Sequence, residues 1–430
     1  MFRICVPVLG KGGVFSARVH PRLKQILRGV KQESNLRREG ITRFNKRWRS
    51  WAIRTVRKHN LARQVVLTAD PELMDAEYLA TCMQKAASGG VKDVDLWKGY
   101  IDRLSEIMDE IPPELFGYIA WSIGRVQIPN RGDLYPKLIK RASELTSELS
   151  GGSLMAILWT LRRALVRPDN RLLEQIAERV MVDHEKVRPS DFIKICNNLA
   201  FFGFGKNDSK FRDRISNIAL AKFESDTFAQ DFRSAMDPLA IANLYNDEMR
   251  TYVLDRFRKI FITARPNHLL HAYHSSVLVR VLAPNVWFND LTEKTRGFYQ
   301  SLAVRHIAAP SRGLSKFHKE VSDLLAGPEF SIPHRNMFRW GPFWIDIGIE
   351  TEDLQEPSEE LGDDRKTCII LDKPSSFFSN EKQTMTEKAL LEDILLSNVG
   401  WKVCHVNHHL WSKCRDSEAK IKLLRSVLLH

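Results

Sequence analysis

Three hexapeptides, Ile119-Ala-Trp-Ser-Ile-Gly124, Ile157-Leu-Trp-Thr-Leu-Arg162 and Ile195-Cys-Asn-Asn-Leu-Ala200, repeat one pattern at an interval of 38 residues. Trp121, Trp159 and Asn197 fall in register, as do Ile123, Leu161 and Leu199. A second amphipathic segment follows each, over residues 134–149, 172–187 and 211–223. One such helix pair cannot bury its apolar stripe alone, but stacked pairs share a continuous core. The repeat therefore predicts an α-solenoid of ~38-residue helix pairs, with Trp121 and Trp159 as buried anchors. Between the apolar positions sit Ser122, Thr160 and Asn198. Helical-repeat RNA binders read bases with small polar side chains on the first helix of each pair. Two readings stay open for these three: base readout, or ordinary solvent-facing positions.

Outward from the repeat, helical patterning runs from residue 70 to 327, with Pro and Gly at the junctions. Less regular pairs extend the array over 78–111 and 238–302. No run approaches the ~18 apolar residues that would span a bilayer, so no membrane partner is expected. The six cysteines are scattered and contain no C-x-x-C, which fits a reducing compartment better than a disulfide framework.

Charge is concentrated at one end. Residues 1–64 hold 17 Lys and Arg and two acids, Glu33 and Glu39, while the remaining chain is near neutral. Residues 1–32 are basic and acid-free, the composition of a mitochondrial targeting segment or of an uncleaved basic tail. Residues 33–69 form a denser arm. Arg37, Arg38, Arg43, Lys46, Arg47, Arg49, Arg54, Arg57 and Lys58 surround Trp48 and Trp51. Cations release counterions when they pair with phosphate, and indoles stack on unpaired bases. These eleven residues are the candidate RNA-binding set; the alternative is that the aromatics dock a helix whose cations are solvated.

The last hundred residues change period. Phe343-Trp-Ile-Asp-Ile-Gly-Ile349 and Thr367-Cys-Ile-Ile-Leu-Asp372 read as strands, separated by an acidic loop over 350–364. Thr384-Met-Thr-Glu387 reads as a capping box opening a helix that ends at Gly400. Trp401-Lys-Val-Cys-His-Val406 reads as a third strand, and residues 416–428 as a final amphipathic helix. This β-β-α-β-α order predicts a small α/β domain over 338–430.

That segment resembles the RAP domain, an RNA-binding module abundant in apicomplexan parasites. The resemblance rests on Trp344-Ile-Asp346-Ile-Gly-Ile349, Ile370-Leu-Asp372-Lys-Pro-Ser375, Phe377, Asn398-Val-Gly-Trp401 and His408-His-Leu-Trp411. The upstream repeats are similar to heptatricopeptide and octotricopeptide arrays. The resemblance implies a restriction-endonuclease-like fold and an organellar RNA-binding protein, acting in RNA processing or stability or as a subunit of mitochondrial ribosomes. Phosphodiester hydrolysis on such a fold needs carboxylates converging on a divalent metal. Here the family's frequent Glu is Ile370, its Gly is Lys373 and its His is Ser376, leaving Asp346 and Asp372. Cys404, His405, His408, His409 and Cys414 lack metal-ligand spacing. We therefore expect no catalytic residue, no metal and no cofactor.

The expectation is a non-catalytic mitochondrial protein bound to RNA, most concretely ribosomal RNA within the mitochondrial ribosome. Its other partners would be neighbouring ribosomal or RNA-processing proteins. The alternative is an RNA-processing or RNA-stability factor with RAP-domain endonuclease activity.

Overall fold

The computed structural model describes residues 71–129, 132–225, 233–260, 266–303, 313–349 and 366–429. The basic segments 1–32 and 33–69 and the acidic loop 350–364 lie outside the described residues. Eight helices build the regular part of the array. The first helices of successive pairs are α1 (Ala76–Gly89), α3 (Pro113–Val126), α5 (Gly151–Ala164) and α7 (Pro189–Phe201). Their partners are α2 (Val94–Ile107), α4 (Leu134–Leu145), α6 (Asn170–Val182) and α8 (Ser209–Ser225).

Local signals set the boundaries. Asp75, Asp93, Ser150 and Asp169 accept backbone N–H groups as N-caps, and α3 and α7 begin with Pro. The chain turns left-handed after each first helix, at Gly90, Gln127, Leu165 and Gly203, so the repeat extends to backbone conformation. Less regular helices continue the array: α9 (Pro238–Asn243), α10 (Asp247–Ile260), α11 (Pro266–Leu282) and α12 (Glu293–Ala303).

First helices stack on first helices, and small residues let them approach closely. A Cβ added at Gly117 would lie 2.8 Å from Ser153 Cα, and one at Gly124 would lie 3.0 Å from Thr160 Cα. The Thr160 hydroxyl donates to the Ala120 carbonyl across this seam at 2.6 Å. This packing corrects the sequence register by one residue. Ser122, Thr160 and Asn198 are 0%, 0% and 2% exposed, whereas Trp121 and Trp159 are only half-buried. Neither open reading of the three small polar residues holds, because they face the interior between helices and no base can reach them. The interior of the seam is filled by the small side chains, and the tryptophans lie at its edge, where the Trp159 ring meets Gly124.

The C-terminal part is a four-stranded sheet in the order β1 (His334–Trp340), β2 (Phe343–Ile349), β3 (Lys366–Asp372), β4 (Trp401–Asn407). The β1/β2 and β2/β3 pairs are antiparallel and β3/β4 is parallel, with α14 (Glu387–Asn398) as the crossover. β1 lacks a two-residue apolar alternation, so periodicity does not mark it as a strand. Helix α13 (Lys316–Ala326), which sequence placed in the solenoid, belongs to this core. Its Val321 and Leu325 pack with Ile347, Ile349, Ile369, Leu371, Cys404, Val406, Trp411 and Leu424, the last from α15 (Ser417–Leu429). The expected boundaries at 327 and 338 thus cut through one packing unit. Trp401 and Trp411 are buried. Trp411 Nε1 donates to Glu320 of α13 at 3.0 Å.

The seam yields a prediction. Gly117→Ala forces the two backbones apart, an overpacking cost of about 1–3 kcal/mol that outweighs the ~1 kcal/mol gained in helix propensity. The melting temperature should fall; an unchanged or raised value would contradict the close approach.

Candidate nucleic-acid interface

Alternation along the strands sorts the C-terminal sheet into two faces. Ile369 and Leu371 point to the α13/α15 side, while Asp372 points to the α14 side with His405. Cys404 lies in the apolar core and His405 on the opposite face, so the two do not share a site. Asp346 and Asp372 are both buried, and each has its own cation. Asp346 accepts the Leu371 N–H at 3.0 Å, where the β2/β3 ladder ends, and the Lys373 ammonium at 3.0 Å. Asp372 accepts from His405 Nδ1 at 3.1 Å, and His405 Nε2 lies 3.2 Å from Asp393 of α14 in an ion-pair contact. The Asp372 hydrogen bond, reinforced by the charge of Asp393, raises the His405 pKa to about 9 against the opposing effect of burial. The ring is therefore an imidazolium at neutral pH, wedged between two carboxylates.

This arrangement gives each aspartate a cationic partner, with His405 shared between Asp372 and Asp393. Among the described residues no group of three or more His, Cys, Asp and Glu has the geometry to hold a metal. In the sequence, Lys373 is only a departure from the family pattern and His405 only an isolated ligand type. Their roles as counter-ions depend on strand parity, which the alternation of Ile369 and Leu371 could have revealed.

The same unit docks on the solenoid through the segment that follows β3. Ser379 N–H donates to the Leu165 carbonyl, 2.6 Å away, at the left-handed turn ending α5. Asn380 and Arg167 exchange two hydrogen bonds of 2.8 Å, side-chain amide against backbone. Phe378 packs edge-on against Phe201 and stacks with Phe202. The sequence pairs Glu387 with Thr384 in a capping box. The N-cap is in fact Thr386, and Glu387 pairs instead with Lys206 of the solenoid at 2.8 Å. The sheet unit and the array are thus held together by apolar, amide and ionic contacts.

The other sequence candidates, Arg37, Arg38, Arg43, Lys46, Arg47, Trp48, Arg49, Trp51, Arg54, Arg57 and Lys58, lie outside the described residues. Ser122, Thr160 and Asn198 line no surface.

The RAP domain family model matches residues 369–427. The C-terminal unit is a RAP domain, and it follows a helical array as the sequence resemblance implied. No curated protein matches the chain. The RAP domain and the helical array together support RNA binding.

Two outcomes are expected. Because the His405 pKa is raised in the folded chain, its contribution to stability is full below the ordinary imidazole pKa of ~6.5 and is lost as pH rises through about 9. Wild-type melting temperature should therefore decline between pH 6 and 10 by more than that of His405→Gln; parallel profiles would contradict the ion-pair assignment. Phe378→Ala should cost ~3–5 kcal/mol if the ring is a buried anchor. It should raise hydrogen exchange at residues 376–386; unchanged exchange would show that docking does not depend on this ring.

Proposed function

We propose that this protein is a non-catalytic RNA-binding protein of the mitochondrion, and most concretely a structural subunit bound to ribosomal RNA in the mitochondrial ribosome. The observation that carries the non-catalytic part is the pairing of Asp346 with Lys373 and of Asp372 with His405. Metal-assisted phosphodiester cleavage needs ionised carboxylates free to hold a divalent ion against the developing charge. Here one oxygen of Asp346 is already taken by Lys373 and its other by the Leu371 N–H, and one oxygen of Asp372 is taken by His405.

RNA binding is supported by the RAP domain and by the net charge of +15 on residues 1–64. A basic terminal segment on a near-neutral body suits a subunit whose arm runs between RNA segments while its body packs on protein neighbours. The acid-free first 32 residues support delivery to mitochondria.

The discriminating experiment is sedimentation of the endogenous protein with organellar ribosomes before and after nuclease treatment. Co-migration that survives mild washing and is released by nuclease is expected. Migration in the light fractions throughout would contradict the subunit assignment.

A second test addresses the arm. Changing Arg43, Lys46, Arg47, Arg49, Arg54 and Arg57 to Gln should weaken RNA binding equally for all sequences. It should also flatten the slope of log affinity against log salt by up to ~0.9 per lost contact on a duplex. An unchanged slope would place the phosphate contacts elsewhere.

A further inference from the structure

The register shift that buries Ser122 and Thr160 leaves a row of aromatic and cationic side chains on the outer edge of the first helices. On α3, Tyr118, Trp121 and Arg125 follow at i, i+3 and i+7, on one face. Tyr118 is 52% exposed, Arg125 is exposed and Trp121 is half-buried. On α5, Trp159 and Arg163 occupy the positions equivalent to Trp121 and Arg125, and both are half-buried. The Arg163 guanidinium lies 5.1 Å from the centre of the Trp159 ring. That ring also closes on α3, because a Cβ at Gly124 would fall 2.9 Å from its Cζ3 atom.

The charges along this row are unbalanced. Arg125 and Arg163 pair with no carboxylate among the described residues, and Arg163 Nε is buried without an acceptor. Burial lowers the Arg163 pKa, and the charge that adds to this is another cation, Arg125. The adjacent Arg162 is different. It contacts Asp237 at 3.6 Å and lies over Phe201 at 4.8 Å, so it is consumed by packing. In the third repeat the cation position is Phe201 itself, which meets Phe378 of the RAP domain. The row therefore ends where the RAP domain docks.

Two guanidinium groups held on neighbouring helices without an acid repel one another, and an anion between them relieves that repulsion. Flat aromatic surfaces beside them select an anion that also carries exposed ring faces. Single-stranded RNA alternates phosphates with unpaired bases, whereas a duplex hides its base faces.

Resting on the RNA-binding reading above, we propose that the outer edge of α3 and α5 is a track for single-stranded RNA leading to the docked RAP domain. Unpaired bases stack on Trp121 and on the Trp159–Arg163 pair, and Arg125 and Arg163 hold the intervening phosphates.

The test uses the full chain, a fluorescein-labelled 15-nucleotide oligouridylate and a 15-base-pair RNA duplex. The double variant Arg125→Gln/Arg163→Gln should lose affinity for oligouridylate by at least about tenfold. Its salt slope should fall by ~1.4, from ~0.7 per single-strand contact, with duplex affinity and melting temperature unchanged. Trp121→Ala should weaken oligouridylate binding and Trp121→Phe should restore it, because the phenyl ring keeps a stacking face. Photo-cross-linking of 5-bromouridine-substituted oligouridylate should map to Trp121 or Trp159. Wild-type affinity and slope in the double variant, or equal losses on oligouridylate and duplex, would overturn the track while leaving RNA binding intact. Failure of the wild-type chain to bind either RNA would instead overturn the RNA-binding reading itself.

Discussion

The array depends on the backbone-close contact between α3 and α5 at Gly117 and Gly124. The glycines leave room only for the small side chains of Ser153 and Thr160 and the edge of the Trp159 ring, and the buried Thr160 hydroxyl is satisfied by donating to the Ala120 carbonyl. The contact decides which residues are interior. Small polar residues with local acceptors are buried, and the larger indoles are displaced to the edge. The left-handed turn that ends α5 presents the Leu165 carbonyl that the RAP domain engages.

The RAP domain follows a comparable economy of polar groups. Its two buried aspartates would be costly if unpaired. Lys373 and His405 make them structural: Asp346 terminates a strand ladder, and Asp372 ties β3 through His405 to Asp393 on α14. The same helix packs against α7, α9 and α11, so the ion-pair layer lies directly behind the surface joining the domain to the solenoid.

Much of the fold was legible in the sequence. The 38-residue interval gave the helix pairs, and the change of period after residue 340 gave three of the four strands. What escaped is explained by interactions that periodicity does not encode. The seam register turned on glycine and threonine rather than on tryptophan, because proximity of backbones outweighs hydrophobicity of side chains at that contact. Strand β1 is an edge strand without alternation, and α13 is amphipathic in the manner of any solenoid helix. Its burial under the sheet is a tertiary fact. At the candidate site, the sequence indicated that Asp346 and Asp372 were depleted of partners for metal chemistry. It did not reveal that Lys373 and His405 each bond one of their oxygens, since that depends on which strand neighbours which.

The central claim is that the chain binds RNA without cutting it. The most direct measurement incubates the purified wild-type protein with labelled single-stranded and duplex RNA in magnesium and then manganese, and follows retention and strand length together. The account predicts retained RNA of unchanged length, with Asp372→Asn behaving as wild type toward RNA turnover. Metal-dependent shortening that disappears in Asp372→Asn would contradict it.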